Sequence, residues 1–199
     1  MVAILTGDIK NSSDYKATEW LPLLKEALGK FGNEPQTWEI YRGDSFQLET
    51  STETALEAAI YIKACIKQIR HMDVRIAIGI GKKTYDAKKI TESNGPAFVN
   101  SGKCFEHLKK QTLALKTNDK KFDEHLNLLV QLATLTMDNW TPAISKTVKT
   151  AMENPALNQK ELAAILNKSQ GNISEELSKA GFEEVQKMIH FYQTQLSQL

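Results

Sequence analysis

Two aspartates stand at matching places in this chain. Asp8 follows Gly7 where the apolar run Val2-Ala3-Ile4-Leu5 gives way to polar Asn11-Ser12-Ser13. Asp44 follows Gly43 between two alternating apolar segments, Trp38 with Ile40 and Phe46 with Leu48. Paired carboxylates flanked by backbone carbonyls make a hard-oxygen site suited to Mg²⁺ or Mn²⁺. Such ions are held together with substrate phosphates, and two of them can clamp a phosphoryl transfer. A glycine before each aspartate would let a phosphate approach the backbone closely. The plainer reading is turn chemistry, in which each carboxylate satisfies local amides.

The elements around them must bring the two carboxylates together. Residues 2–7 read as a buried strand and 14–31 as an amphipathic helix. The stretch TWEIYRGDSFQLET reads as a β-hairpin with Gly43-Asp44 at its tip. Helical period returns over 52–70, alternation over 74–80, and 82–94 is a polar loop. A helix over 96–110 and a strand over 112–117 complete a β-α-β-β-α-β-α-β order. That order implies an α+β domain with an antiparallel-centred sheet and helices on one face. The first strand then runs beside the hairpin, and Asp8 and Asp44 converge at one sheet edge. Beyond Asn118 helical period dominates to the end, so the expected division is 1–118 and 119–199.

Within the second part, residues 158–181 have the pattern of a helix-turn-helix. Asn158 and Glu161 make a capping box, Asn167 suits a left-handed turn, and Ser169 caps the next helix. That helix would place Gln170, Asn172 and Ser174 at base edges, with Lys168 and Lys179 at phosphates. The charge balance opposes DNA binding: 119–199 holds eight lysines, no arginine and ten acidic residues, a formal −2. An interaction or dimerisation module is the alternative.

Composition excludes less specific roles. The 199 residues carry a formal net charge of +1, so bulk charge points to neither nucleic acid nor membrane. No apolar stretch is long enough to span a bilayer, and the N-terminus lacks the pattern of a signal peptide. Cys65 and Cys104 lie in helical patterns without a CxxC, as expected of reduced thiols in the cytoplasm. The four histidines have no metal-ligand spacing.

GDIKNSS, YRGDSFQLE, VRIAIGIG and NGPAFVNSGKCFE occur in the order and approximate spacing of the class III nucleotide cyclase catalytic domain, across residues 1 to about 110. With its helical tail the chain resembles the SatD family of bacterial proteins. The resemblance implies a ferredoxin-like, cyclase-type palm domain followed by an all-α helix-turn-helix domain. It implies that Asp8, Asp44 and the Ile9 carbonyl hold Mg²⁺ or Mn²⁺. It also implies that Gly7, Gly43, Ser45, Asn100 and Lys103 meet a nucleoside triphosphate or related nucleotide. It further implies a homodimer. The pattern departs from the cyclases at Ile40 and Ser93, where base-reading groups would stand. It departs again at Cys104, where an arginine would face the transferring phosphate. The reading that follows is a DNA-binding regulator of SatD type responsive to a nucleotide. The competing reading is a metal-dependent nucleotide cyclase or nucleotidyltransferase.

Overall fold

A computed structural model of the chain describes residues 1–197. Strand β1 (Val2–Lys10) and helix α1 (Ala17–Gly29) are followed by the hairpin β2 (Trp38–Tyr41) and β3 (Ser45–Thr50). Then come α2 (Ala55–Ile66), β4 (Asp73–Gly81), α3 (Pro96–His107) and β5 (Leu113–Lys116). Five helices complete the described chain: α4 (Lys120–Met137), α5 (Pro142–Glu153), α6 (Gln159–Leu166), α7 (Gln170–Lys179) and α8 (Phe182–Leu196). The strands form one mixed sheet in the order β2-β3-β1-β4-β5, antiparallel except for the β4–β5 pair. The fold is α+β.

Strand β1 runs three residues beyond the expected 2–7. Its ladder with β4 continues to the pair Lys10↔Asp73, so paired backbone amides override the turn signal of Gly7-Asp8. Asp8 is therefore inside the strand, not at its exit.

Helices cover both faces of the sheet, not one. Alternation along β1 and β4 turns Leu5, Val74, Ile76 and Ile78 toward α1 and α2, where they share a core with Leu24, Leu28 and Ile62. The opposite face receives α3. A Cβ on Gly79 would lie 2.1 Å from the Ser101 amide nitrogen and 2.3 Å from the Ala97 carbonyl, so only glycine admits α3 this closely. Ser101 Oγ donates to Thr6 Oγ1 at 2.6 Å beneath that contact.

The core is continuous across Asn118. Phe122, Leu126, Val130, Trp140, Val148 and Tyr192 belong to the same apolar cluster as α2 and the sheet. Every α2 residue except Glu57 is buried. Lys63 is 2% exposed and reaches Asp73 and Asp138, each at 2.7 Å. Lys67 donates to the Asp138 carbonyl at 2.8 Å. The free edge of β5 is partly closed by Asn127, whose amide bonds both the N–H and the C=O of Leu115 at 2.9 and 2.8 Å.

Helices α6 and α7 cross over Leu162, Ala163 and Ile173, which pack with Ala151 of α5. The Asn158–Glu161 capping box forms, and Asn167 takes φ 51° in the left-handed region. Ser169 Oγ accepts the Asn172 N–H at 3.2 Å. No helix of the described residues is long and apolar enough to cross a membrane.

Candidate functional site

Strand register sets four side chains in one row across the sheet. Tyr41 of β2 faces Ser45 of β3, Ser45 faces Asp8 of β1, and Asp8 faces Arg75 of β4. Alternation sends all four to the α3 face. None of them lies in the apolar cluster under α1 and α2, and all four are partly solvent-exposed. The hairpin loop hangs over the end of this row. Its Arg42 and Gly43 take φ of 51° and 90°, and Asp44 follows them. The Ile9 N–H donates to the Asp44 carbonyl at 3.2 Å, which pins the loop to β1. Ser12 Oγ donates to Asp44 Oδ2 at 2.5 Å.

Asp8 is not free. Arg75 Nε donates to its Oδ1 at 2.9 Å, and Arg75 Nη2 donates to its Oδ2. The guanidinium also lies 5.4 Å from the centre of the Phe105 ring on α3. These bonds hold the Arg75 pKa above its ordinary value, and the nearby Asp44 charge adds to the effect. Burial pushes the Tyr41 hydroxyl upward; Arg42 opposes this and Asp8 reinforces it. Two carboxylates, two guanidiniums and a phenol thus feel one another at one sheet end. Lys10 lies two residues beyond Asp8 on the same strand, and with Arg70, His71, Asp73 and Asp138 it lines a separate cavity of about 390 Å³.

The chemistry of this set does not fit a divalent cation as folded. Both oxygens of Asp8 are committed to Arg75. Among the described residues no three His, Cys, Asp or Glu side chains converge. Ile9 contributes its N–H to the loop, and its side chain is buried in the core.

The expected nucleotide residues do not all gather here. Ser45 is in the row, and Gly43 is open to solvent beside it. Gly7 is buried: a Cβ there would lie 2.4 Å from the Phe46 ring, so this glycine serves packing and not phosphate approach. Asn100 is buried at the far end of the sheet, donating to the Ile80 carbonyl at 2.9 Å and to Asn118. Ile80 pairs with Ala3, and Arg75 pairs with Asp8. That five-residue separation is roughly 17 Å along the strand. Lys103 lines a cavity toward β5 and α4 with His107, Lys116 and Asp123, not the Asp8 end. Cys104, where the cyclase pattern has arginine, is a packing thiol raised to about 12 by burial.

In the tail, Gln170, Asn172 and Ser174 are exposed on the first turns of α7. Lys168 is not available for phosphate as expected. It is bound to Glu176 at 2.7 Å and to Thr147 at 3.1 Å. Lys179 pairs with Glu175 one turn away in full solvent, where a pair holds little energy. Ser169 is occupied as the helix cap.

Arg75 is the residue the pattern hid. In VRIAIGI it reads as the polar member of an alternating strand. Its meaning depends on which residue of β1 lies opposite, and register is not written in either segment alone. The same holds for Tyr41 and Ser12. A scan against protein-family models finds no match to the chain, and neither does a search of curated proteins.

Proposed function

We propose that the chain is a cytoplasmic DNA-binding regulator of SatD type, in which a cyclase-like palm senses a nucleotide and a helix-turn-helix meets DNA. The observation that carries the DNA half is the α6–α7 pair. It has a left-handed residue in the turn, a capped second helix, and polar Gln170, Asn172 and Ser174 facing outward. Gln and Asn there have the reach and chemistry to read adenine in the major groove. With Lys168 and Lys179 both paired to carboxylates, phosphate contacts are few and one copy binds weakly. The reading therefore includes a homodimer that engages two half-sites. The palm half is supported by the element order, by the two aspartates at one sheet end, and by the cationic groups around them.

A duplex selected from a random pool, followed by fluorescence anisotropy, tests the DNA half. The Gln170→Ala/Asn172→Ala protein should lose sequence preference while keeping its fold. Equal affinity of variant and wild type for the selected duplex would end this reading and leave α6–α7 as an interaction module.

One observation favours the metal-dependent cyclase or nucleotidyltransferase: Asp8 and Asp44 lie within a single sheet end. Catalysis there by Mg²⁺ or Mn²⁺ requires Arg75 to release Asp8. Mass spectrometry of each nucleoside triphosphate incubated with protein and Mn²⁺ separates the two readings, since only the enzyme yields a cyclic or joined product.

A further inference from the structure

The Asp8–Arg75 pair has a consequence for what this sheet end recognises. A guanidinium carries five N–H donors in a fixed planar fork. Asp8 takes the Nε and one Nη2 donor, along one edge. The remaining donors lie on the other edges, and Nη1 has no hydrogen-bond partner among the described residues. Three constraints hold the group still: the two-point bond to Asp8, the Phe105 ring, and the β4 backbone in the sheet interior. The Arg75 side chain is still 34% exposed. An arginine fixed on one edge and open on another is pre-organised to bind an oxyanion, because its side-chain entropy is already spent.

We infer that Arg75 is the anion-recognition group of this site and takes a phosphate of the ligand directly, with Asp8 as its positioning residue and no divalent cation between them. The ligand class is a phosphate ester or polyphosphate. Its tetrahedral oxygens accept two parallel bonds from the open fork edge. The surroundings suit a chain of phosphates: Arg42 lies on the hairpin loop, and Lys10 follows two residues along the same strand face. Asp44 is the opposing charge, and the Ser12 hydroxyl is donated to it. Serving as a tethered cation, Arg75 fills the role that the two carboxylates suggested for a metal. This inference rests on the palm domain binding a nucleotide or related phosphate.

Calorimetry and thermal melting of the full chain test it, with sodium pyrophosphate and with each nucleoside triphosphate in excess EDTA, and again with Mn²⁺. Each variant is compared with its own ligand-free melt. In EDTA the wild type should bind and melt higher. Arg75→Gln should weaken binding by about tenfold or more. Arg75→Lys, which keeps charge and bulk but loses the fork, should fall between. Asp8→Asn should lose affinity in proportion to the freedom it gives Arg75. Binding that needs Mn²⁺ and survives or improves in Arg75→Gln overturns the inference and upholds a metal–nucleotide site. Binding in EDTA that neither Arg75 variant alters places the anion elsewhere and overturns it too. No binding under either condition overturns the nucleotide-sensing reading itself.

Discussion

Lys63 brings an ammonium into the core at the point where β4, the end of α4 and α2 meet. Its partners are Asp73 and Asp138, with Thr112 at 3.2 Å. Lys63→Met would leave Asp73 to Lys67 and Asp138 to the Thr112 hydroxyl, at a cost of about 1–3 kcal/mol. Adding Asp73→Asn and Asp138→Asn should recover only part of that loss, because buried Lys67 then loses its carboxylate partner. Urea denaturation of the single and triple variants measures both; a single variant as stable as wild type would show that the network is solvated. The sequence marks these residues only as helix and strand members. A lysine in an alanine- and isoleucine-rich helix is a visible oddity, but its partners lie 10 and 75 positions away. Gly7 has the same lesson at smaller scale. Its neighbours in sequence suggest a phosphate turn, and its neighbours in space, the Phe46 ring and the Arg75 carbonyl, require a residue without a side chain.

Helix α3 lies against β4 through the absence of side chains at Gly79 and Gly81. Gly79→Ala forces a methyl into helix backbone that cannot yield, so destabilisation of about 1–3 kcal/mol is expected, with α3 displaced. The same change at Gly29 or Gly102, where a Cβ meets nothing, should be tolerated. Chemical denaturation of the three variants distinguishes a packing role from a general cost of substituting glycine. Helices α2 and α5 are tied differently, by Tyr61 donating to Glu153 at 2.5 Å; within α5, Lys149 also pairs with Glu153 at 2.8 Å. Burial acts to raise the Glu153 carboxyl, and the bonds from Lys149 and Tyr61 outweigh it, leaving the pKa below its ordinary 4.5. A depressed acid contributes stability above its unfolded pKa and loses it as pH falls through the folded value. The melting temperature should therefore drop below pH 4.5, and Glu153→Gln should flatten part of that drop. Caps and periods made these helices legible: Asn158, Asn167 and Ser169 each take the expected place. The covering of both sheet faces was not legible, because alternation in VRIAIGIG says only that two faces differ. It does not say that the glycine face receives a helix.

The whole molecule shares one core between its β-containing half and its helical half. Helix α2 is buried because α5 and α8 lie over it, and Tyr192 reaches back to the Thr52 carbonyl at 2.5 Å. A chain ending at Asn118 would expose that surface and leave Lys63 without Asp138. Fragment 1–118 is expected to collapse without a cooperative melt. A sharp transition and dispersed amide resonances from the fragment would instead establish a self-sufficient β-containing domain. By itself the sequence determined the order of strands and helices, the hairpin, the caps and the left-handed turn. Each of these is decided by residues within a few positions of one another, through propensity, period and local hydrogen bonds. Only the tertiary structure decided that Asp8 faces Arg75, that Asn100 and Lys103 lie away from the aspartates, and that Lys168 is consumed by Glu176. Those facts depend on strand register and on which helix faces meet, where one residue of shift exchanges partner for solvent.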